Sequence, residues 1–380
     1  MWTFVSPRLI VYGEDALTFL EGEKAKRVLI VTDECISQLG FVDIVKNSLK
    51  AEKIEVFSEV EPEPSIDTAV KCTKVAKELQ PELIIALGGG SVIDVAKAAR
   101  ILMEVEIDPI AVTPFTDLFE LGYMRRAKLI AIPTTSGTGA DVTWTSVLTD
   151  KAEHRKLTPA NKEIVPDVTL LDYRFVADMP KKLVAGSGLD ALTHAVEGIV
   201  SIWKNDLSDA LCEKAVEMIL GNLEKSYKGD MEARAKMHIA ATMAGLGFGN
   251  SQVGLVHSLG HTFGAIFKLH HGCCVGLFLP YVMQFYLKSD AKARMDALAK
   301  KLGFNSAEKL IDKIVALMKS VELPTKISQI IDRKEFEKNI ENLVMNTLND
   351  TSLGMSPRIP DYDQVKKIYE YAFDGKKIDF

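Results

Sequence analysis

Two pairs of polar residues in this chain share a spacing of four. Asp190 and His194 lie in Gly188-Leu189-Asp190-Ala191-Leu192-Thr193-His194-Ala195-Val196-Glu197; His257 and His261 lie in Gly254-Leu255-Val256-His257-Ser258-Leu259-Gly260-His261-Thr262-Phe263-Gly264. Both stretches read as helix with few breakers, so each pair shares a helix face, one turn apart. His271 follows just before Gly272, at another turn or the start of the next helix. With His270 it completes four of the chain's 7 histidines between 257 and 271. Carboxylate plus imidazoles is ligand chemistry for zinc, iron or another divalent first-row ion. Each pair alone is better read as hydrogen-bonded residues of the surface or core. Together the two clusters favour a metal. No His-Glu-x-x-His sequence of a zinc protease is present.

A second kind of chemistry is suggested by Gly88-Gly89-Gly90-Ser91, which follows an apolar strand and opens a helix. Glycines let a polyphosphate approach the backbone, and the free amides at the helix start attract an anion. Ser91 and Asp94 form a Ser-x-x-Asp capping pattern, expected to fix the helix start; a tight turn with a good cap is the alternative to a phosphate site. This is not the Gly-x-Gly-x-x-Gly fingerprint, and the candidate ribose-binding acid, Asp33, precedes the glycines instead of following them. Thr134-Thr135-Ser136-Gly137-Thr138-Gly139 is either a polar loop or a lining for a cofactor's phosphates or nicotinamide. No Gly-x-Ser-x-Gly elbow and no Gly-Lys-Ser/Thr ending is present, which argues against an α/β-hydrolase and a nucleoside-triphosphate hydrolase.

The elements that must position these residues differ between the two halves. Arg27–Asp33, Ile54–Phe57, Leu83–Leu87 and Leu129–Ile132 read as strands. Ile66–Leu79 and Val92–Met103 read as helices between them. That alternation implies an open, mostly parallel sheet with helices on both faces, and ligands beyond the carboxyl ends of its strands. Asp33, the glycine run and the Thr/Gly run all fall at that edge. After Met179-Pro180 the pattern becomes helical, as in Leu207–Leu220, Met231–Met243, Leu255–Phe267, Ala291–Lys301 and Ala307–Met318, with no convincing strand. Two domains, 1–180 and 181–380, are expected, and the stretch 349–360 reads as a loop.

Composition narrows the function classes. The 380 residues are 47% hydrophobic and 26% charged, ordinary for a globular protein, and exceed what one core usually serves. Net charge is -6 without a dense basic block, which argues against nucleic acid as partner. No apolar run reaches the ~20 residues that span a bilayer. Met1 to Pro7 lack a basic region followed by an apolar one, so no signal peptide is expected and the default location is the cytoplasm. The 5 cysteines do not form a disulfide framework; Cys273 and Cys274 adjoin His271 as further candidate ligands, against the simpler expectation of buried structural thiols.

In this order the motifs resemble the iron-containing (group III) alcohol dehydrogenase family. The similarity covers nearly the whole length. It is carried by Gly88 through Lys97 (Gly-Gly-Gly-Ser-Val-Ile-Asp-Val-Ala-Lys), Pro133 through Gly139, Gly188 through Glu197, and His257 through Gly272. The resemblance implies an N-terminal α/β domain with a parallel Rossmann-like sheet plus an all-α C-terminal domain, the dehydroquinate synthase-like fold, with the active site in the cleft between them. It implies four metal ligands, Asp190, His194, His257 and His271, with His261 as a nonligand histidine for proton relay. It also implies that Gly89, Gly90 and Ser91 hold the pyrophosphate and that Thr134, Thr135 and Thr138 line the cofactor. Lys156, in His154-Arg155-Lys156-Leu157, matches a cofactor-contacting lysine, and Asp33 the acid on the adenosine ribose. A carboxylate there repels a 2′-phosphate, so NAD is expected over NADP. Fe(II) is the expected metal and Zn(II) the alternative. The implied reaction is hydride transfer between a small alcohol or diol and NAD, in a homodimer or larger homo-oligomer.

Three positions depart from the family pattern. Thr-Gly-Ser-Glu reads Thr138-Gly139-Ala140-Asp141, His-Gly-x-x-Asn-Ala reads His271-Gly272-Cys273-Cys274-Val275-Gly276, and Asn-Pro-Arg reads Ser356-Pro357-Arg358. The rivals are a zinc glycerol dehydrogenase, a lyase of the dehydroquinate-synthase type and a noncatalytic metal- or nucleotide-binding regulator. The lyase needs a Lys- and Arg-rich pocket, whereas Leu255, Val256, Leu259, Phe263 and Phe267 surround the histidines, which favours a small, weakly charged substrate.

Overall fold

Apolar runs and intervening helices in the first half assemble into one parallel sheet. The computed structural model describes residues 3–151 and 155–380 and divides into two units, Met1–Asp178 and Met179–Phe380. Met1, Trp2 and His154 lie outside the described residues. In the first unit the strands are β1 (Leu9–Tyr12), β2 (Arg27–Val31), β3 (Lys53–Phe57), β4 (Leu83–Gly88), β5 (Lys128–Pro133), β6 (Leu148–Asp150), β7 (Arg155–Leu157) and β8 (Val168–Leu171). The helices are α1 (Glu34–Gln38), α2 (Phe41–Asn47), α3 (Ile66–Leu79) and α4 (Gly90–Leu102). Six strands form the sheet in the order β1-β8-β5-β4-β2-β3, every pair parallel, and β6 and β7 form a separate antiparallel hairpin.

The central strands are buried on both faces, which is why they read as unbroken apolar runs and not as alternating ones. Ile85, Leu87, Ile30 and Ile130 pack with Ile36 of α1 and Val42 and Val45 of α2. Ile84, Ala86, Leu29, Val31 and Leu129 pack with Ala69 and Cys72 of α3 and Ile93 and Ala96 of α4. Full burial of each Leu, Ile or Val contributes about 1.5–3 kcal/mol. From β2 the chain goes to β3 on one side and to β4 on the other, so the strand order reverses between β2 and β4. A crevice at the carboxyl ends beside such a reversal is where open α/β sheets bind ligands. The two residues after β2 are Thr32 and Asp33, and those after β4 are Gly89 and Gly90.

One expectation about this edge fails. Ser91 does not cap α4: the helix begins at Gly90, its N-cap is Gly89, and no side chain accepts from its first amides. Because glycines carry the chain straight from strand into helix, Ser91 falls inside the first turn, out of register for capping.

The second unit holds α5 (Lys181–Val200), α6 (Asp206–Tyr227), α7 (Met231–Phe248), α8 (Leu255–Phe267), α9 (His271–Tyr286), α10 (Ala291–Lys301), α11 (Ala307–Ser320), α12 (Arg333–Asn349) and α13 (Tyr362–Asp374). No strand occurs among its described residues. The centre is α5, buried continuously from Val184 to Val200 and packed by α6, α7 and α9. Its polar residues therefore sit in the interior, where each needs a partner. The stretch 349–360 contains a 3-10 turn, Thr351–Met355, capped by Asp350. No helix among the described residues is long and apolar enough to cross a membrane.

Candidate metal centre and cofactor turn

Asp190 and His194 lie one turn apart on α5, His257 lies in the first turn of α8, and His271 opens α9. The connection from α8 to α9 is only Lys268, Leu269 and His270, with Lys268 in the left-handed conformation that ends the helix. That short link keeps α8 and α9 packed together, with Gly260 against Val275. A close approach then seats His271: a Cβ on Gly272 would lie 2.3 Å from the Gly186 carbonyl oxygen and 3.0 Å from Asp190 Cβ. Only glycine lets the start of α9 touch α5 there.

One donor atom from each of Asp190, His194, His257 and His271 lies within 4.8 Å of the other three. His271 Nε2 is 3.4 Å from Asp190 Oδ1, and His194 Nδ1 is 3.8 Å from the same oxygen. Tetrahedral bonds of roughly 2.0–2.2 Å place donors about 3.5 Å apart, so these spacings suit a first-row ion. Three of the atoms, Asp190 Oδ1, His194 Nδ1 and His257 Nε2, are buried and make no hydrogen bond. Buried polar atoms without partners are costly, and three converging on one point fit a cation. The rings are fixed by stacking: His194 lies on Phe248 with centroids 4.0 Å apart and 9° between planes, and on His257 at 4.7 Å.

The electrostatics run the same way. Burial works to raise the Asp190 carboxyl, but the imidazoles of His194 and His271 outweigh it and hold it well below the usual range. Burial pushes the His194 imidazole down to about 3, against Asp190, and pushes His257 well below 6.5. The interior thus holds one carboxylate and neutral imidazoles with lone pairs to give.

Two carboxylates that the motif reading did not assign hold the two histidines of α8. Glu197 Oε2 lies 2.5 Å from His257 Nδ1, and its Oε1 accepts from the Val256 amide at 2.8 Å. Burial pushes the Glu197 carboxyl up to about 7, against the amides of Val256 and Gly254; a cation next to His257 favours the charged form further. Asp350 Oδ2 lies 3.0 Å from His261 Nδ1, while its Oδ1 accepts from the Ser352 amide and the Ser258 hydroxyl. Burial raises the Asp350 carboxyl, but the bond to His261 and the Ser352 amide hold it well below its ordinary value. The spacing of Glu197 from Asp190 and His194 was a readable signal, whereas nothing local marks Asp350. His261 stands beside the group of four, its ring 5.2 Å from His271 and 5.6 Å from His257.

Other candidates fall away. Cys273 is half-buried and Cys274 buried; neither is in a disulfide and neither belongs to the four-residue group. His270 is exposed at the N-cap of α9. Leu255, Val256, Leu259 and Phe263 are buried in the helical core, so they pack helices instead of lining an open pocket.

In the sheet unit, β4 and β5 are neighbours with Gly88 opposite Pro133. That register sets Gly89-Gly90-Ser91 beside Thr134 through Thr138. A Cβ on Gly90 would lie 2.9 Å from Thr138 Cγ2 and 3.0 Å from its Oγ1, and one on Gly89 would lie 3.4 Å from Thr135 Cγ2. Thr134 is buried, whereas Thr135, Thr138 and Ser91 are half-buried. Asp33 follows β2, next to β4, and caps α1 by accepting from the Ile36 amide at 2.8 Å through Oδ1. Below the turn the buried Lys97 donates to the Thr145 carbonyl at 2.8 Å, tying α4 to the chain beyond the Thr/Gly run. Lys156 lies on β7, 3.4 Å from Glu63. It is also near enough to Asp94 to oppose the burial that, against Lys97 as well, raises that carboxyl to about 6.

A parallel-sheet unit with an anion-ready turn and a helical unit with an Asp-His₃ cluster define a two-unit scaffold with a candidate metal centre. Comparison with known proteins places it. The iron-containing alcohol dehydrogenase pattern matches residues 7–173, and the pattern for the C-terminal part of the Fe-containing alcohol dehydrogenase family matches residues 184–373. The chain belongs to the iron-containing alcohol dehydrogenase family and is an alcohol dehydrogenase of that kind. It is 38% identical to the NADPH-dependent butanol dehydrogenase of Clostridium saccharobutylicum, over 100% of both chains. It is 34% identical to aldehyde-alcohol dehydrogenase 2 of Entamoeba histolytica over 98% of its own length, but spans only 46% of that longer protein. Its fold superimposes with a TM-score of 0.90 on the iron-containing alcohol dehydrogenase of Thermococcus thioreducens, at 33% identity, covering 99% of this chain and 100% of that one.

Proposed function

We propose that the protein transfers hydride between the carbinol carbon of a small alcohol or diol and NAD, with Asp190, His194, His257 and His271 as the metal ligands. The observation that carries this is the convergence of three buried, unpartnered donor atoms, Asp190 Oδ1, His194 Nδ1 and His257 Nε2. A divalent ion held there supplies Lewis acidity at the alcohol oxygen, and NAD supplies the hydride acceptor. His261 takes up the alcohol proton at Nε2, since its Nδ1 is engaged by Asp350. Gly89, Gly90 and Ser91 hold the pyrophosphate on the first amides of α4, and Thr134, Thr135 and Thr138 line the cofactor. Asp33 accepts the ribose hydroxyls and disfavours a 2′-phosphate, which favours NAD over NADP. Lys156 assists the cofactor from β7. One carboxylate and three imidazoles suit Fe(II) and Zn(II) alike, and family membership tilts the choice to iron. Residues 1–180 serve the dinucleotide and 181–380 the metal, in a cytoplasmic homodimer or larger assembly.

The test is reduction of NAD and of NADP by a panel of two- to six-carbon alcohols and diols, with Fe(II) or Zn(II) supplied. Metal-dependent, alcohol-dependent reduction of NAD, faster than of NADP, is expected. No alcohol-dependent reduction with either metal overturns the reading.

A further inference from the structure

Glu197 follows Asp190 by seven residues and His194 by three on α5, so one helix face carries two metal donors and this carboxylate. It is 2% exposed, and both oxygens are engaged. Oε1 takes the Val256 amide at 2.8 Å, in the first turn of α8, and Oε2 lies 2.5 Å from His257 Nδ1. In its charged form, which a cation beside His257 favours, the carboxylate can only accept, so this contact puts the ring hydrogen of His257 on Nδ1. The lone pair is then on Nε2, the buried atom that finds no partner in the protein. The amide bond fixes where the carboxylate sits, and the carboxylate fixes the plane of the ring.

We propose that Glu197 is a positioning residue of the metal centre: it selects the His257 tautomer whose Nε2 binds the ion, and its charge, with that of Asp190, balances a divalent cation. This rests on the four-ligand reading above. It assigns α5 three roles at the centre, two from ligands and one acting through a ligand on another helix. Orienting partners of this kind, when removed, typically weaken metal binding by about 10–100-fold.

Glu197→Gln separates orientation from simple support. Its carbonyl oxygen can keep the Val256 bond, while its amide turns an N–H toward His257 Nδ1 and drives the ring hydrogen onto Nε2. Zn(II) affinity, measured by chelator competition, is expected to fall about 10–100-fold. The thermal midpoint of the metal-free protein is expected to stay, and the ¹⁵N resonances of His257 should change from an Nδ1–H to an Nε2–H pattern. Glu197→Asp, which keeps an acceptor, is expected to bind Zn(II) more tightly than Glu197→Gln. Wild-type affinity in Glu197→Gln overturns the proposal, as does a fall in metal-free stability with affinity intact. His257→Ala in the same assay distinguishes the two levels. Wild-type affinity there defeats the four-ligand reading itself, whereas loss there with retention in Glu197→Gln defeats only the role of Glu197.

Discussion

In the helical unit the candidate site consists of side chains: four donors, three of them from residues at most 5% exposed, and two carboxylates holding histidine rings. In the sheet unit it consists of missing side chains: Gly89 and Gly90 leave amides bare and leave room that a Cβ would fill against Thr135 and Thr138. The first depends on residue type and protonation, because each buried lone pair must face one point. The second depends on volume, because what it offers is backbone. Substitutions should therefore separate the two sites, each damaging one function and sparing the other.

The largest effect is expected from His257→Ala. It should abolish metal retention and turnover while helical content and NAD affinity, read by circular dichroism and fluorescence titration, stay at wild-type values. An equal loss of NAD affinity would break the separation. His261→Ala should lower kcat by roughly 10²–10⁴-fold, the usual range for a proton-transfer group, with metal content unchanged. Loss of the metal instead would make His261 a ligand. Gly90→Val should weaken NAD binding by about 1–3 kcal/mol, the typical cost of forcing extra carbons into a packed site, and leave Zn(II) affinity alone. Smallest should be Asp33→Ala, which removes a like charge from a 2′-phosphate and shifts the NADP/NAD preference by about tenfold toward NADP. An unchanged ratio would take Asp33 off the ribose.

The same contrast governs what could be read from the sequence. Strands β2, β4 and β5 were visible because both faces are buried and their residues are almost all apolar. Strands β1 and β8 were not: each is four residues long, and β1 is an edge strand with Leu9 and Tyr12 exposed, so neither shows a decisive pattern. The hairpin of β6 and β7 was missed for the same reason of length. Helical spacing of Asp190, His194, His257 and His261 survives in the chain because it is local. The bonds from Glu197 to His257 and from Asp350 to His261 join residues 60 and 89 positions apart, and only tertiary packing creates them. Ser91 taught the opposite lesson: a good local capping pattern gave way to a glycine-led entry into α4.

X-ray absorption at the zinc edge of the Zn(II)-loaded protein tests the central claim most directly. The account predicts one ion per chain with a shell of nitrogen and oxygen only, at about 2.0–2.2 Å, with the multiple-scattering signature of imidazole rings. A sulfur contribution near roughly 2.3 Å, which would bring Cys273 or Cys274 into the shell, or an oxygen-only shell without imidazole, would contradict it.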